Sequence, residues 1–396
     1  LGLQWVTQHQ TYCFADNDFI IQLIFCPWVA VQQFVNTQLS TQVVTIDKAR
    51  LLAGKAITWL RSLSRATPAE NDTIHEGCLI LEQHCRSALG EVEIRTIEAL
   101  LQSRIAANQA FAARLLLLKQ HSFNFDGVPD GLFHNLLAND YAPVRAAGMA
   151  IITAMPPEQQ LKRPELILHC CIAPYQDTRQ QIRLLLPAMI QLDNRLAIWL
   201  VNELVPKLMR KEASAGIHQD MANILSNELV NYLHDINTAT ALRLLYANYP
   251  AAQEFGVLVL EKYIPPAALS LKQVIATGNH ELLTVRTWCW HFFEQNIARI
   301  RYERDTAIAL LDASWEDTRQ FAKTFFTTQF SENDWTPETL IAIADSVRPD
   351  IQAFGRELLT RYFNAADGTA YLLKLSQHPS VNMQVFATTY LESYAT

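Results

Sequence analysis

Glycine is scarce in this chain, at 12 residues in 396. Tight β-hairpins and glycine-rich phosphate loops both depend on residues that tolerate positive φ and close backbone approach, so neither is expected. Cysteine occurs seven times without the paired spacing of a zinc ribbon or a disulfide scaffold. An odd count in a chain with a sizeable core points to reduced thiols and a cytoplasmic setting. Excess positive charge is missing too. The net charge is −7, with 10 Lys/Arg against 12 Asp/Glu in residues 1–130 and 22 against 27 in residues 131–396. Neither part is a basic arm, which disfavours phosphate-driven binding to nucleic acid. The most apolar run, residues 19–35, is shorter than a bilayer span and is interrupted by Gln22, Pro27, Gln32 and Gln33, so no membrane helix is expected. No signal peptide is visible. The chain opens Leu1-Gly2 without methionine, and its last apolar pattern runs to Tyr394 with no polar capping unit after it. Both features suggest a segment of a longer polypeptide.

What is present is a helical phrase repeated along the chain. Its clearest copy is residues 338–363, ETLIAIADSVRPDIQAFGRELLTRYF. An apolar helix through Leu340, Ile341, Ile343 and Ala344 is broken around Ser346 to Pro349, because proline disfavours helical geometry in the residue before it. A second helix follows, with Ile351, Phe354, Leu358 and Tyr362 on one stripe at spacings of three and four. Copies recur at residues 19–35, where Val31, Gln32 and Phe34 stand for Ile351, Gln352 and Phe354, and at residues 97–117, where Asn108, Gln109 and Phe111 do. Between them, residues 46–89 hold two longer helical patterns separated at Thr67-Pro68.

Downstream, an Arg or Gln two places before an aromatic or small residue marks the register: Arg145, Arg179, Gln219, Gln253, Arg286, Arg319, Gln352 and Gln384. The steps are 34, 40, 34, 33, 33, 33 and 32 residues. A fixed period of this size is the signature of a solenoid, whose hairpins bury their apolar faces only by stacking. The long step is explained by an insertion in LMRKEASAGIHQDM, residues 208–221. Asp126-Gly127-Val128-Pro129 is the strongest loop signal and marks an elbow between an irregular part, residues 1–125, and a regular array, residues 130–396.

The Val-Arg pair opening the second helix in YAPVRAAG, residues 141–148, and LLTVRTWC, residues 282–289, resembles the HEAT repeat. So does the acidic residue before the marker in QDTR, with Asp177, and EDTR, with Asp317. The resemblance covers roughly residues 16–394. It implies an all-α fold, an α-solenoid of about eleven HEAT-like hairpins curved into a superhelix, with second helices on a concave face that serves as a scaffold or protein-binding surface. It also implies that the Arg/Gln column is a structural ladder, bridged by Asp residues, and not a binding stripe.

Chemistry-bearing clusters have plainer accounts. His75, Cys78, His84 and Cys85 resemble metal ligands, but Cys78 and Cys85 lie two helical turns, about 10 Å, apart and cannot share one zinc. Cys170-Cys171 reads as a packed pair. Pairs such as His291 with Glu294 and Glu165 with His169 fall at spacings common on helix surfaces. No nucleophile elbow, Walker sequence, dinucleotide fingerprint or metalloprotease helix is present. We therefore expect no catalytic residue, no cofactor and no metal.

Two functions compete. One is a non-enzymatic scaffold holding a protein, or another domain of the same polypeptide, in the concave groove. The other is nucleic-acid binding or repair by an enzyme of the alkylpurine-DNA glycosylase type, which is also built of HEAT-like repeats and would need a basic track. Four places after each marker the register gives Met149, Arg183, Asn223, Val257, Trp290, Lys323, Arg356 and Thr388 as an outward column. Only three of these are basic, and Glu261, Glu294 and Glu392 lie one turn on, which favours a protein partner and leaves Arg183, Lys323 and Arg356 as the residues that would serve nucleic acid. Trp290 is two residues beyond the buried Trp288, about 200° around the helix. With His291 and Glu294 beside it, Trp290 is the candidate partner anchor, the alternative being that it packs between repeat units.

Overall fold

The computed structural model describes residues 2–41, 43–119, 128–362, 368, 371, 374–375 and 377–392. Asp126-Gly127, the centre of the expected elbow, lies outside them. The described residues are helical with no strand, as the glycine-poor, 3.6-periodic sequence requires. They form two compact units, residues 1–232 and 233–396.

Within each unit the element is a hairpin of HEAT-like helices. The reference phrase folds as Pro337–Ala344 and Pro349–Tyr362. Thr336 caps the first helix by accepting from the Thr339 amide, and Pro349 opens the second where no backbone donor is needed. The two helices lie so close that a Cβ on Gly355 would come 2.4 Å from the Ala344 nitrogen. Only glycine permits that approach. The residues 46–89 pattern is a hairpin of longer helices, Ile46–Ser62 and Pro68–His84, the latter with a Thr67/Glu70 capping box.

Hairpins stack by two layers. In unit 1 the second helices Val29–Thr41, Pro68–His84, Ala106–Leu118, Ala142–Ala154, Gln176–Leu192 and Ile217–Ser226 pack in succession. In unit 2 Pro250–Tyr263, Leu283–Gln295 and Glu316–Gln329 do the same. Within each unit the apolar stripes meet in a core, with Phe111 and Phe133 fully buried in unit 1 and Phe293 and Phe326 in unit 2. Removing one such ring would cost about 3–5 kcal/mol.

The marker column is a ladder. Each hairpin turn leaves a carbonyl past the end of its first helix without a helical donor, and the marker six residues on supplies one. Gln109 donates to Ser103 O, Gln253 to Ala247 O, Gln352 to Ser346 O and Gln384 to His378 O. Arg145, Arg179, Arg286 and Arg319 do the same to the carbonyls of residues 139, 173, 280 and 313, and also reach the next carbonyl along. The arginines then continue into the following hairpin. Arg145 meets Asp177 at 2.7 Å and stacks on the Tyr175 ring at 3.8 Å. Arg286 meets Asp317 at 2.6 Å and stacks on Trp315 at 4.3 Å. Arg179 meets Asp220 at 2.6 Å, and Arg319 lies 3.5 Å from Asp350.

One register assignment is corrected. Gln219 does not cap its turn; its side chain reaches Asn223 at 3.4 Å. Its neighbour Asp220 takes the arginine of the preceding hairpin instead. The insertion re-enters the helix through Gly216, whose φ of 84° lies in the left-handed region, and the register shifts there.

Candidate functional site

Most of the column expected to face outward does not, Thr388 being its exposed member. Met149 and Val257 are buried, and Arg183, Lys323 and Trp290 contact the next hairpin. Arg183 pairs with Glu228 at 3.0 Å, and Lys323 with Asp350 at 3.1 Å. Trp290 is half-buried and stacked on Phe321, with ring centroids 5.5 Å apart and planes 13° from parallel. Its indole nitrogen points to Thr318 Oγ1 at 3.4 Å. The cause is lateral packing of second helices. A position 200° from the first-helix stripe meets not solvent but the neighbouring second helix. Arg356 is half-buried, and among the described residues no carboxylate pairs with it. His291 and Glu294, one and four places past Trp290, are the members of the expected site that are exposed.

His291 lines the site that the structure does build. A pocket of about 350 Å³ lies in unit 2 between the last turns of Pro250–Tyr263 and Leu283–Gln295. Leu260, Ile264, Leu269, Trp288 and Phe292 give it apolar walls, and Glu261, His291, Gln295 and Asn296 a polar rim. Trp288 and Phe292 are packed on each other with centroids 5.8 Å apart, so this wall is rigid. The remaining wall is the linker after Tyr263, where Pro265-Pro266 ends the helix and a turn, Pro266–Ala268, follows. Proline leaves this linker short of backbone pairing. Arg299 holds it down by donating to Pro266 O at 2.8 Å and Leu269 O at 2.7 Å, while Glu303 neutralises it at 2.7 Å.

The last turn of Pro250–Tyr263 brings the negative end of its dipole to this pocket, and the Glu261 side chain stands on the rim beside it. The chemistry suits a cation on an apolar stem. Glu261, His291 and Trp288 were legible from register, whereas Leu269, Asn296 and the Arg299 latch were not. The Pro-Pro break followed by an arginine was the available signal.

The histidine and cysteine cluster resolves into separate contacts. His75 Nδ1 lies 3.3 Å from Arg114 Nη1, and His84 Nε2 2.6 Å from Asn36 Oδ1. Burial, with the Arg114 charge adding to it, depresses His75 to about 4. Cys78 and Cys85 are buried, and burial pushes Cys85 up to about 11. Cys170 and Cys171 are both fully buried, and burial raises both.

No family model matches the sequence, and no curated protein does. Among solved structures, the chain is similar to one described as "Structural Basis of Tubulin Recruitment and Assembly by Microtubule Polymerases with Tumor Overexpressed Gene (TOG) Domain Arrays", at 12% identity over 96% of this chain and 92% of that one, with a TM-score of 0.29. It is also similar to the crystal structure of Kap121p, at 12% identity over 93% of this chain and 48% of that one, with a TM-score of 0.23.

Proposed function

We propose that this chain is a protein-binding scaffold whose unit 2 pocket receives a lysine or arginine side chain from its partner. The pocket carries the proposal. An alkyl stem lies against Leu260, Ile264 and Phe292 while the charged head meets Glu261 and the carbonyl end of Pro250–Tyr263. The ladder supports a scaffold, since its arginine rungs tie successive hairpins to each other. Nucleic acid is disfavoured, because Arg183 and Lys323 are engaged by Glu228 and Asp350.

Peptides selected against the purified chain from a random display library test this. The expected winners carry Lys or Arg beside an apolar residue. Glu261→Lys, and Gln295→Trp to fill the pocket, should each weaken them at least tenfold without altering the melting curve. Winners lacking a basic residue, or binding both variants as they bind the parent, would overturn the proposal.

A further inference from the structure

Unit 1 holds a pocket of its own, of about 220 Å³, between its first hairpin, residues 17–41, and the hairpin of Ile46–Ser62 and Pro68–His84. The walls are apolar. Phe25 and Pro27 come from the turn after Asn17–Ile24, Trp59 and Leu63 from the end of Ile46–Ser62, and Ile74 from Pro68–His84. The Phe25 ring is held from two sides. It stacks on Trp59 with centroids 4.3 Å apart and planes 24° from parallel, and a Cβ on Gly77 would come 2.6 Å from its Cδ1, so the ring is seated against the backbone of Pro68–His84. Trp59 is half-buried and keeps part of its ring accessible. The aromatic wall therefore exists before any ligand arrives, which lowers the ordering cost of binding. A volume below the about 300–1,000 Å³ of whole-ligand pockets suits one large side chain.

The charges that line this pocket are Arg65 and Glu70, and their situations differ. Glu70 is committed to the capping box, accepting from the Thr67 amide at 2.7 Å and the Thr67 hydroxyl at 2.9 Å, at the positive end of its own helix. Arg65 is exposed, and among the described residues its guanidinium makes neither a hydrogen bond nor an ion pair; it acts on Glu70 only as a charge at a distance. The group left unspent beside the apolar walls is a guanidinium, whose planar fork matches a carboxylate.

We propose that this pocket is a second binding site, independent of the one in unit 2, for an acidic peptide that inserts an aromatic side chain against Phe25 and Trp59 and pairs a neighbouring carboxylate with Arg65. A ring on the occupant makes with Phe25 and Trp59 the offset or edge-on contacts that aromatic pairs favour. The carboxylate belongs next to that ring in sequence, because Arg65 lines the same pocket as the aromatic wall. A lysine, which the unit 2 pocket takes, would meet the Arg65 charge here. The two pockets therefore read peptides of opposite charge.

The test is fluorescence anisotropy with three labelled synthetic peptides: Gly-Asp-Asp-Phe-Asp-Asp-Gly, the same peptide with alanine for phenylalanine, and the same with lysine for each aspartate. The first should bind at least tenfold tighter than either of the others. Arg65→Glu, at an exposed position, and Ala66→Phe, which fills the pocket from its half-buried loop, should each weaken it at least tenfold with an unchanged melting curve, and Gln295→Trp should leave it unchanged. Should Ala66→Phe lower the melting curve, Arg65→Glu decides alone. Absence of saturable binding, equal binding of the phenylalanine and alanine peptides, or equal binding by parent and Arg65→Glu would overturn the proposal. So would loss of the first peptide in Gln295→Trp with retention in Arg65→Glu, since the unit 2 pocket would then be its site. Self-association of the parent by light scattering that Arg65→Glu abolishes would overturn it too, because a second copy would then be the occupant.

Discussion

Arginine rungs and glutamine rungs occupy the same place in the fold, and comparing them shows what the column is for. Both cap the hairpin turn through the carbonyl six residues back. Arginine reaches onward to an acid and occurs where the next hairpin supplies one: Asp177 for Arg145, Asp220 for Arg179, Asp317 for Arg286 and Asp350 for Arg319, whereas Gln109 reaches onward as an acceptor, from Asn139 at 2.8 Å. Glutamine stands where that place, two residues before the next marker, holds no acid: Pro143 after Gln109, Thr284 after Gln253 and Asn382 after Gln352. An arginine there would gain no partner and would carry extra side-chain entropy. Capping within a hairpin is thus the common task, and bonding between hairpins is added where both partners exist.

The largest effect that would break this comparison is Arg179→Ala. Arg179 and Asp220 have side chains only 2% and 9% exposed, and two turn carbonyls lose their donor as well. Leaving a buried aspartate unpaired costs about 3–5 kcal/mol. We expect Arg179→Ala to lower the unit 1 melting transition steeply and to accelerate hydrogen exchange in Gln176–Leu192 and Ile217–Ser226 first. In a stacked array each hairpin depends on its neighbours, so an effect spread evenly over both units would contradict the local role.

A smaller effect separates the two tasks. Arg286→Gln keeps a donor for His280 O and removes the bond to Asp317 and the stack on Trp315, at a cost of about 1–2 kcal/mol. Its pH dependence has a definite sign. Burial opposes ionisation of Asp317, but the hydrogen bonds from Arg286 and the Thr318 amide and the Arg286 charge outweigh it, and its carboxyl is held below the ordinary value. A carboxyl lowered by folding contributes stability above its unfolded value, about 3.9, and loses it as pH falls through the folded value. The parent and Arg286→Gln should therefore differ at pH 7 and converge below about pH 3.9 in denaturant midpoint. A gap that persists at low pH would place the benefit in the Trp315 stack.

The hairpins themselves were legible because proline breaks and a 3.6-residue apolar stripe are local properties of the chain. Contacts between hairpins were legible only where the period held. It carried the rungs Arg145 to Asp177 and Arg286 to Asp317, 32 and 31 residues apart. It failed across the insertion, where 41 residues separate Arg179 from Asp220 and the register handed the role to Gln219. The register left Trp290 open between partner anchor and packing between repeat units for a related reason. A helical wheel drawn for one helix does not contain the Phe321 of its neighbour. The pocket was half legible: Glu261 and His291 follow from register, but its wall depends on the path of a proline-broken linker that Arg299 pins. Long-range backbone bonds of that kind have no periodic trace.

The smallest effect is a gain, and it asks whether the pairing rule is sufficient as well as descriptive. Gln253 caps Ala247 O at 2.6 Å, and the place facing it in the next hairpin is Thr284, exposed in the first turn of Leu283–Gln295. Gln253→Arg alone should be neutral or slightly destabilising, because the guanidinium keeps the cap and finds no acid. Thr284→Asp alone should help by only about 0.5 kcal/mol, through the positive end of its own helix. Together they recreate the arrangement of Arg286 and Asp317. The pair should then be more stable than the sum of the single changes by about 0.5–1 kcal/mol in a double-mutant cycle, and the coupling should shrink in high salt. A coupling indistinguishable from zero would mean that an acid two residues before the marker is not enough. The aromatic ring before it, present as Trp315 and Tyr175 and replaced here by Leu282, would then be the missing part of the rung.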